Sequence, residues 1–201
     1  MRPSFDSNDD LVDYLVNQRY IEDKRVEKAF RNVDRAVFVP EEFVEDAYTD
    51  QPVPIGEEAT ISAPHMVAIN TELLDPQKSD RILEIGSGSG YQLAVLSELS
   101  GTVLGIEISG ELVEKSRGHL GSRENIEIFH GSGFEPVEGK FDKILYSCAV
   151  ESFEEAAEYL KPGGVIVAPI LEGSRQVLKR YRDGEITEHS YVSFVRFRDE
   201  E

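Results

Sequence analysis

The sequence predicts an α/β fold built on a doubly wound, mostly parallel sheet, with an antiparallel C-terminal edge and helices added at the N-terminus. An apolar run at Ile82, Leu83 and Ile85 fits a strand buried on both faces, and it leads into the glycine-rich turn of Gly86, Gly88 and Gly90, which opens a helix. Beyond it, short apolar runs alternate with helical patterns as far as Pro169, as parallel strands joined by crossover helices require. Ahead of it, residues 1–75 carry mostly helical periodicity.

From the N-terminus, Ser7 and Asn8 cap a first helix whose Leu11, Val12, Leu15 and Val16 recur at helical spacing. Val26, Ala29, Phe30 and Val33 repeat the pattern in a second helix, which residues 35–40 bring to an end at Pro40. Residues 47–56 read as an extended loop stiffened by Pro52 and Pro54, suited to shaping a cleft. Ser62 stands at the threshold of a helix bearing Met66, Val67, Ile69, Leu73 and Leu74, where a serine followed by Pro64 reads as an N-cap. In the core, strands are expected at 81–85, 102–107, 126–129, 141–146 and 165–169, with helices at 111–120 and 151–160. Residues 176–181 and 190–197 alternate like paired strands around the turn at Asp183 and Gly184.

The glycine turn has the spacing Gly-x-Gly-x-Gly. A dinucleotide site asks for a glycine where Tyr91 stands, and the tyrosine ring would obstruct a pyrophosphate at the helix end. Glu107, closing the 102–107 run, is placed to accept both hydroxyls of a ribose, and Glu84 puts a second acid just ahead of the glycines. Acid, glycine turn, helix, strand and acid in that order resemble the Rossmann-like S-adenosylmethionine-dependent methyltransferases. The expected cofactor is therefore S-adenosyl-L-methionine.

A chain of 201 residues with 40% apolar content fits one domain over 1–201: N-terminal helices and a substrate-side loop at 1–75, then a cofactor-binding core at 76–201. A net charge of −18 without a Lys/Arg cluster repels phosphate backbones, which excludes nucleic acid as the expected partner. The acidic excess, with Arg outnumbering Lys, resembles the solvated surface of a protein from a salt-rich cytoplasm. Cys148 is alone, so no internal disulfide is possible and a reducing compartment is expected. No apolar run approaches the ~18 residues of a membrane span, and no residue spacing suggests a metal. A soluble, cytoplasmic monomer is the expectation.

The segments Arg35 to Pro40, Ala47 to Gly56, Thr60-Ile61-Ser62-Ala63-Pro64-His65-Met66 and Leu83 to Gln92 together resemble the protein-L-isoaspartate (D-aspartate) O-methyltransferase family. These enzymes initiate repair of isomerised aspartyl residues. The resemblance implies a doubly wound methyltransferase sheet and isoaspartyl-containing peptides and proteins as substrates. It places Ser62, in the family's Ile-Ser-x-Pro-His-Met segment, as the active-site residue that orients the substrate carboxylate, with Ile61 and His65 beside it on the substrate side. An imidazole in the first turn of a helix is more often structural, and His65 carries that reading as well. The cofactor set implied is Glu84, Gly86, Ser87, Gly88, Gly90, Tyr91, Glu107, Ile108, Gly131 and Ser132.

Two departures stand out. Gly131-Ser132-Gly133 replaces the family's Gly-Asp-Gly, and Ser147-Cys148-Ala149-Val150-Glu151 replaces a run of small residues with a proline. They leave open a methyltransferase with another carboxyl or small-molecule acceptor, or a cofactor-binding module without turnover. For the carboxylate reaction no general base is needed, because an acid with a reference pKa near ~4 is already ionised at neutral pH. The task is orientation, worth roughly 7 to 11 kcal/mol of a barrier, and Ser62 would position the acceptor without acting as nucleophile.

Overall fold

A computed structural model describes residues 3–135 and 137–198; Pro136 and the extreme ends of the expected 1–201 span lie outside them. Helix α1 (Asn8–Asn17) is capped by Ser7, whose hydroxyl oxygen accepts from the backbone N–H of Asp10. Helix α2 (Lys24–Asn32) is capped by Asp23 in the same way. The sequence placed residues 35–40 at the end of α2; they lie outside it. The chain turns extended at Val33, and Asp34 caps a separate 3-10 turn at Arg35–Phe38, since an aspartate favours a new N-terminus over continuing the old helix.

The expected loop at 47–56 is also corrected. Its second half is strand β1 (Val53–Gly56), which pairs antiparallel with β2 (Ala59–Ile61). Val53 and Ile55 point inward, while Glu57 and Glu58 make the turn with φ of 52° and 56°. Glutamates seldom adopt the left-handed region, so only Gly56, with φ of 94°, hinted at this hairpin. Helix α3 (Pro64–Leu74) follows at once.

The main sheet has seven strands: β3 (Arg81–Ile85), β4 (Thr102–Glu107), β5 (Ile126–His130), β6 (Phe141–Tyr146), β7 (Leu160–Glu172), β8 (Arg175–Arg182) and β9 (Glu185–Val192). Their order is β5-β4-β3-β6-β7-β8-β9, parallel through β7 and antiparallel thereafter. Helices α4 (Tyr91–Ser97), α5 (Gly110–Leu120) and α6 (Glu154–Glu158) supply crossovers. The last strand is Glu185–Val192, not 190–197, because the turn at Asp183 and Gly184 pairs Arg182 directly with Glu185. Every residue of β9 up to Tyr191 is exposed, so it lacks the apolar alternation by which a strand is recognised. The expected 151–160 helix is shortened to α6.

Strand residues alternate between two cores. Ile82, Val103, Leu145 and Val167 face the N-terminal helices, sharing a cluster with Leu11, Phe30 and Val67. Leu83, Leu104, Ile144 and Ile166 face the other way, against Phe141 and Ala156. The glycine turn lies close over β4: a Cβ built on Gly105 would stand 2.7 Å from Leu93 Cδ1 and 3.1 Å from Ser87 Cβ. Gly105→Ala is therefore expected to cost about 1 to 3 kcal/mol of stability by overpacking. The check is a lowered denaturation midpoint with an unchanged m-value; an unchanged midpoint would mean the loop yields freely.

Among the described residues no helix is long and apolar enough to cross a membrane.

Candidate active site

Strands β3, β4 and β6 end side by side, and their C-terminal ends open a cavity of about 330 Å³. Its floor is Gly86 and Gly88, and its walls include Glu107, Ile108, Gly131, Ser132 and Cys148. This is the switch point at which open α/β sheets bind ligands.

Glu107 is 7% exposed, and its carboxylate is held from two sides: Oε2 accepts from the Gly88 N–H at 2.8 Å, and Oε1 from the Ser109 N–H at 3.0 Å. The acid thus clips the glycine turn to the end of β4. Ser109 is also the N-cap of α5, so one carboxylate fixes both helix entrances bordering the cavity. Carboxylate oxygens have further lone pairs with which to meet ligand hydroxyls. Apolar Ile108, Leu112 and Phe197 flank the same space, and the Ser132 hydroxyl donates to the Arg198 carbonyl at 3.0 Å.

Behind the glycine turn lies a second cavity of about 40 Å³, lined by Ile61, Ser62, Asn70, Glu84, Ser87 and Tyr91 among others. It shares Thr60, Gly86, Gly88 and Ser147 with the first. Glu84 is buried, and Ser147 Oγ donates to its Oε1 at 2.6 Å. Burial pushes Glu84 up to about 8, and nearby Glu107 adds to this while the Ser147 hydrogen bond opposes it. Burial likewise pushes the Cys148 thiol up to about 12, with Glu107 and Glu84 acting in the same direction.

Ser62 is half-buried on the wall of the small cavity, and its hydroxyl makes no hydrogen bond among the described residues. It is not the helix cap that the sequence suggested. The N-cap of α3 is Ala63, which has no side-chain capping bond, and Asp50 does the capping from a distance. Asp50 Oδ1 accepts from the His65 backbone N–H at 3.0 Å and lies 2.8 Å from His65 Nδ1. Tyr14 donates to the other oxygen at 3.3 Å. Burial raises the Asp50 pKa, but these hydrogen bonds outweigh it and hold the carboxyl below its usual value. His65 thus ties α3 to the preceding loop, and it lines neither cavity.

Tyr91 lies outside the larger cavity. It is 1% exposed, with Phe38 5.5 Å away between ring centroids and the Arg35 guanidinium 5.3 Å from its own. Arg35 in turn donates from Nε to the Ala47 carbonyl at 3.0 Å. Burial lowers Arg35 to about 10, which leaves it cationic at neutral pH. The pair fastens the N-terminal segment to the start of α4, so the tyrosine anchors a scaffold. Gly90 and Ser87 also lie outside the larger cavity, Ser87 on the smaller one.

Sequence reasoning missed two walls. Glu57, Glu58 and Thr60 reach the cavity from the unannounced hairpin, and Val195 to Arg198 reach it from the chain after β9. Hydrogen bonds from the Ala149 N–H to the Val195 carbonyl and from the Phe197 N–H to the Ala149 carbonyl hold that strap. Arg198 Nη2 spans to Glu58 Oε2 at 2.9 Å. Two arginines ending an acidic chain, at Arg196 and Arg198, were the available signal.

A purine nucleoside carrying a charged side arm fits this arrangement: a doubly anchored carboxylate for a diol, apolar flanks for a ring, and a Cβ-free turn for close backbone approach. Comparison with known proteins points the same way. The sequence model of the family "Protein-L-isoaspartate(D-aspartate) O-methyltransferase (PCMT)" matches residues 6–201. A protein-L-isoaspartate O-methyltransferase of Methanopyrus kandleri is 40% identical, covering 95% of this chain and 91% of that one. One of Pyrobaculum islandicum is 43% identical over 94% and 98%. A Plasmodium falciparum chain described as a protein-L-isoaspartate O-methyltransferase, solved with S-adenosyl-L-homocysteine, superposes with a TM-score of 0.86 at 26% identity, covering 97% of this chain and all of that one.

Proposed function

The chain belongs to the protein-L-isoaspartate(D-aspartate) O-methyltransferase family, and from that premise we propose how its own residues methylate the free carboxylate of L-isoaspartyl and D-aspartyl residues in damaged proteins. The observation that carries the reading is the pair of adjacent cavities with a shared wall. The larger suits the cofactor, the smaller bears Ser62, and they meet at Thr60, Gly86, Gly88 and Ser147.

Glu107 would hold the ribose of S-adenosylmethionine, with Ile108 and Phe197 on the side of the adenine and the Ser132 hydroxyl within the same wall. Gly86 and Gly88, without Cβ atoms, would let the backbone approach its methionine arm. Bound there, the cofactor would supply an electrophilic methyl group on a sulfonium. Ser62, on the wall of the small cavity, would donate to one oxygen of the acceptor carboxylate and leave the other free to react, and Ile61 would give the acceptor an apolar wall. The hairpin and the Val195 to Arg198 strap shield the site from water, which strengthens the attraction between carboxylate and sulfonium.

An assay of methyl ester formation on matched isoaspartyl and aspartyl peptides tests this reading, with turnover expected on the first and none on the second. A protein that binds the cofactor yet methylates no isoaspartyl peptide at any salt concentration would overturn it.

The rest of the reading follows from sequence and packing. One hydrophobic cluster runs from Leu11 to Leu178, which supports a single domain over 1–201. The charge of −18 supports a monomer that engages neither nucleic acid nor an anionic membrane, and the lone Cys148 suits the reducing cytoplasm. If that charge is an adaptation to salt, self-repulsion destabilises the fold in dilute buffer. The melting temperature should then rise toward molar potassium chloride, where the Debye length shrinks to ~3 Å. A flat or falling melting curve would sink the salt-adaptation idea.

A further inference from the structure

Several residues lining the small cavity keep a buried polar atom with no hydrogen-bond partner among the described residues: Asn70 Oδ1, Glu84 Oε2, Ser87 Oγ and the Tyr91 hydroxyl. Buried polar groups in folded proteins are almost always paired, so this cavity is built to receive a group the chain does not supply. Glu84 and Ser87 belong to the strand and the turn on the cofactor side, and Tyr91 packs beside Arg35. Asn70 stands apart from them, on α3, the helix that Ser62 leads into. It is 2% exposed. Its polar neighbours are engaged with each other: Gln92 Nε2 donates to Thr71 Oγ1 at 3.0 Å, and Thr71 Oγ1 donates to the Val67 carbonyl at 2.8 Å. A carboxamide oxygen only accepts, so Asn70 calls for a donor.

The cavity of about 40 Å³ has room for about three water-sized groups. That admits the reacting end of an acceptor and turns away a flanking side chain. In an isoaspartyl residue the free carboxylate and the backbone N–H are borne by the same carbon, whereas in an aspartyl residue the carboxylate stands one carbon farther off. We infer that Asn70 Oδ1 accepts the N–H of the isoaspartyl residue whose carboxylate Ser62 holds, so that the two side chains together measure the spacing between acid and amide. An aspartyl peptide held at its carboxylate sets its N–H out of place and leaves the buried Asn70 oxygen unpaired, which is how a site built for a hydrogen bond rejects an analogue. The inference rests on the acceptor reading above and names a side chain that makes it selective.

An isoaspartyl peptide and its backbone-ester analogue, in which oxygen replaces that one N–H, test this with the unmutated protein and with Asn70→Ala. With the unmutated protein the ester is expected to lose about tenfold in kcat/KM, the worth of one hydrogen bond to a buried partner. Asn70→Ala should lose about as much on the amide peptide and nothing further on the ester, because the bond is already gone. Affinity for S-adenosylhomocysteine, measured by calorimetry, should be unchanged. The melting temperature should hold or rise, since alanine removes an unpaired buried oxygen and favours the helix. Losses that simply add across the two changes overturn the inference, as does a full rate in Asn70→Ala. Weakened cofactor binding in that variant also overturns it, by assigning the oxygen to the ammonium of the methionine arm, and so does a lowered melting temperature with unchanged discrimination between amide and ester, which marks a structural residue. Should Asn70→Ala not fold, an ester methylated by the unmutated protein as fast as the amide overturns the inference instead. All of these outcomes leave the methyltransferase reading standing. If the unmutated protein methylates no isoaspartyl peptide, that reading fails and the inference falls with it.

Discussion

Glu107→Ala is expected to weaken S-adenosylmethionine binding by about 3 kcal/mol or more, roughly two orders of magnitude in Kd, because the carboxylate meets two ribose hydroxyls through charge-assisted hydrogen bonds. Part of that loss comes from the protein itself. The same carboxylate accepts from the Gly88 and Ser109 N–H groups, so alanine frees the glycine turn and the cap of α5 together. Glu107→Gln separates the contributions. Its amide oxygen can keep one of the two backbone donors, its NH2 group faces the other, and the negative charge is gone. An affinity between those of the unmutated protein and the alanine variant is expected. Isothermal titration on variants with native melting curves is the measurement. Unchanged affinity in a folded alanine variant would remove Glu107 from the site.

What the sequence disclosed and what it concealed follow from how far each signal reaches along the chain. The strand, glycine turn and closing acid from Arg81 to Glu107 are local, and each forms from neighbours a few residues apart, so that half of the site was legible. The cap of α3 was not, since the role suggested for Ser62 is filled by Asp50, which reaches the helix through tertiary structure. The family resemblance placed Tyr91 among the cofactor residues. Its ring packs with Arg35 and Phe38, more than fifty residues upstream, and it lines the small cavity and not the larger one. The hairpin around Glu57 was hidden by the prolines Pro52 and Pro54, which read as a loop, and the 190–197 segment was read as a sheet edge, with nothing local to show that its end folds over the cavity. They reach the cavity through contacts such as that of Glu58 with Arg198, which lie 140 residues apart.

The position of the cap sharpens the test of Ser62. With Ala63 as the N-cap and Asp50 holding the first turn, Ser62→Ala removes no capping bond, and stability should change by less than about 0.5 kcal/mol. The hydroxyl has no partner among the described residues, so the protein alone hardly registers its loss. Turnover should register it strongly. A hydrogen bond to an ionised acceptor is worth about 1.5 to 3 kcal/mol, which predicts a fall of roughly 10- to 150-fold in kcat/KM for an isoaspartyl peptide. Cofactor affinity should stay within about a factor of two, since Ser62 lines the small cavity and not the large one. Ser62→Cys supplies the control for shape, because the thiol nearly fills the space of the hydroxymethyl group but is a weak donor. If orientation through the hydroxyl is the cause, cysteine should be as impaired as alanine; if the lost volume is the cause, cysteine should recover most of the rate. A Ser62→Ala variant that keeps full kcat/KM with a native melting curve would move the orienting role elsewhere on the cavity wall, with Thr60 and Asn70 the next hydrogen-bonding side chains to test.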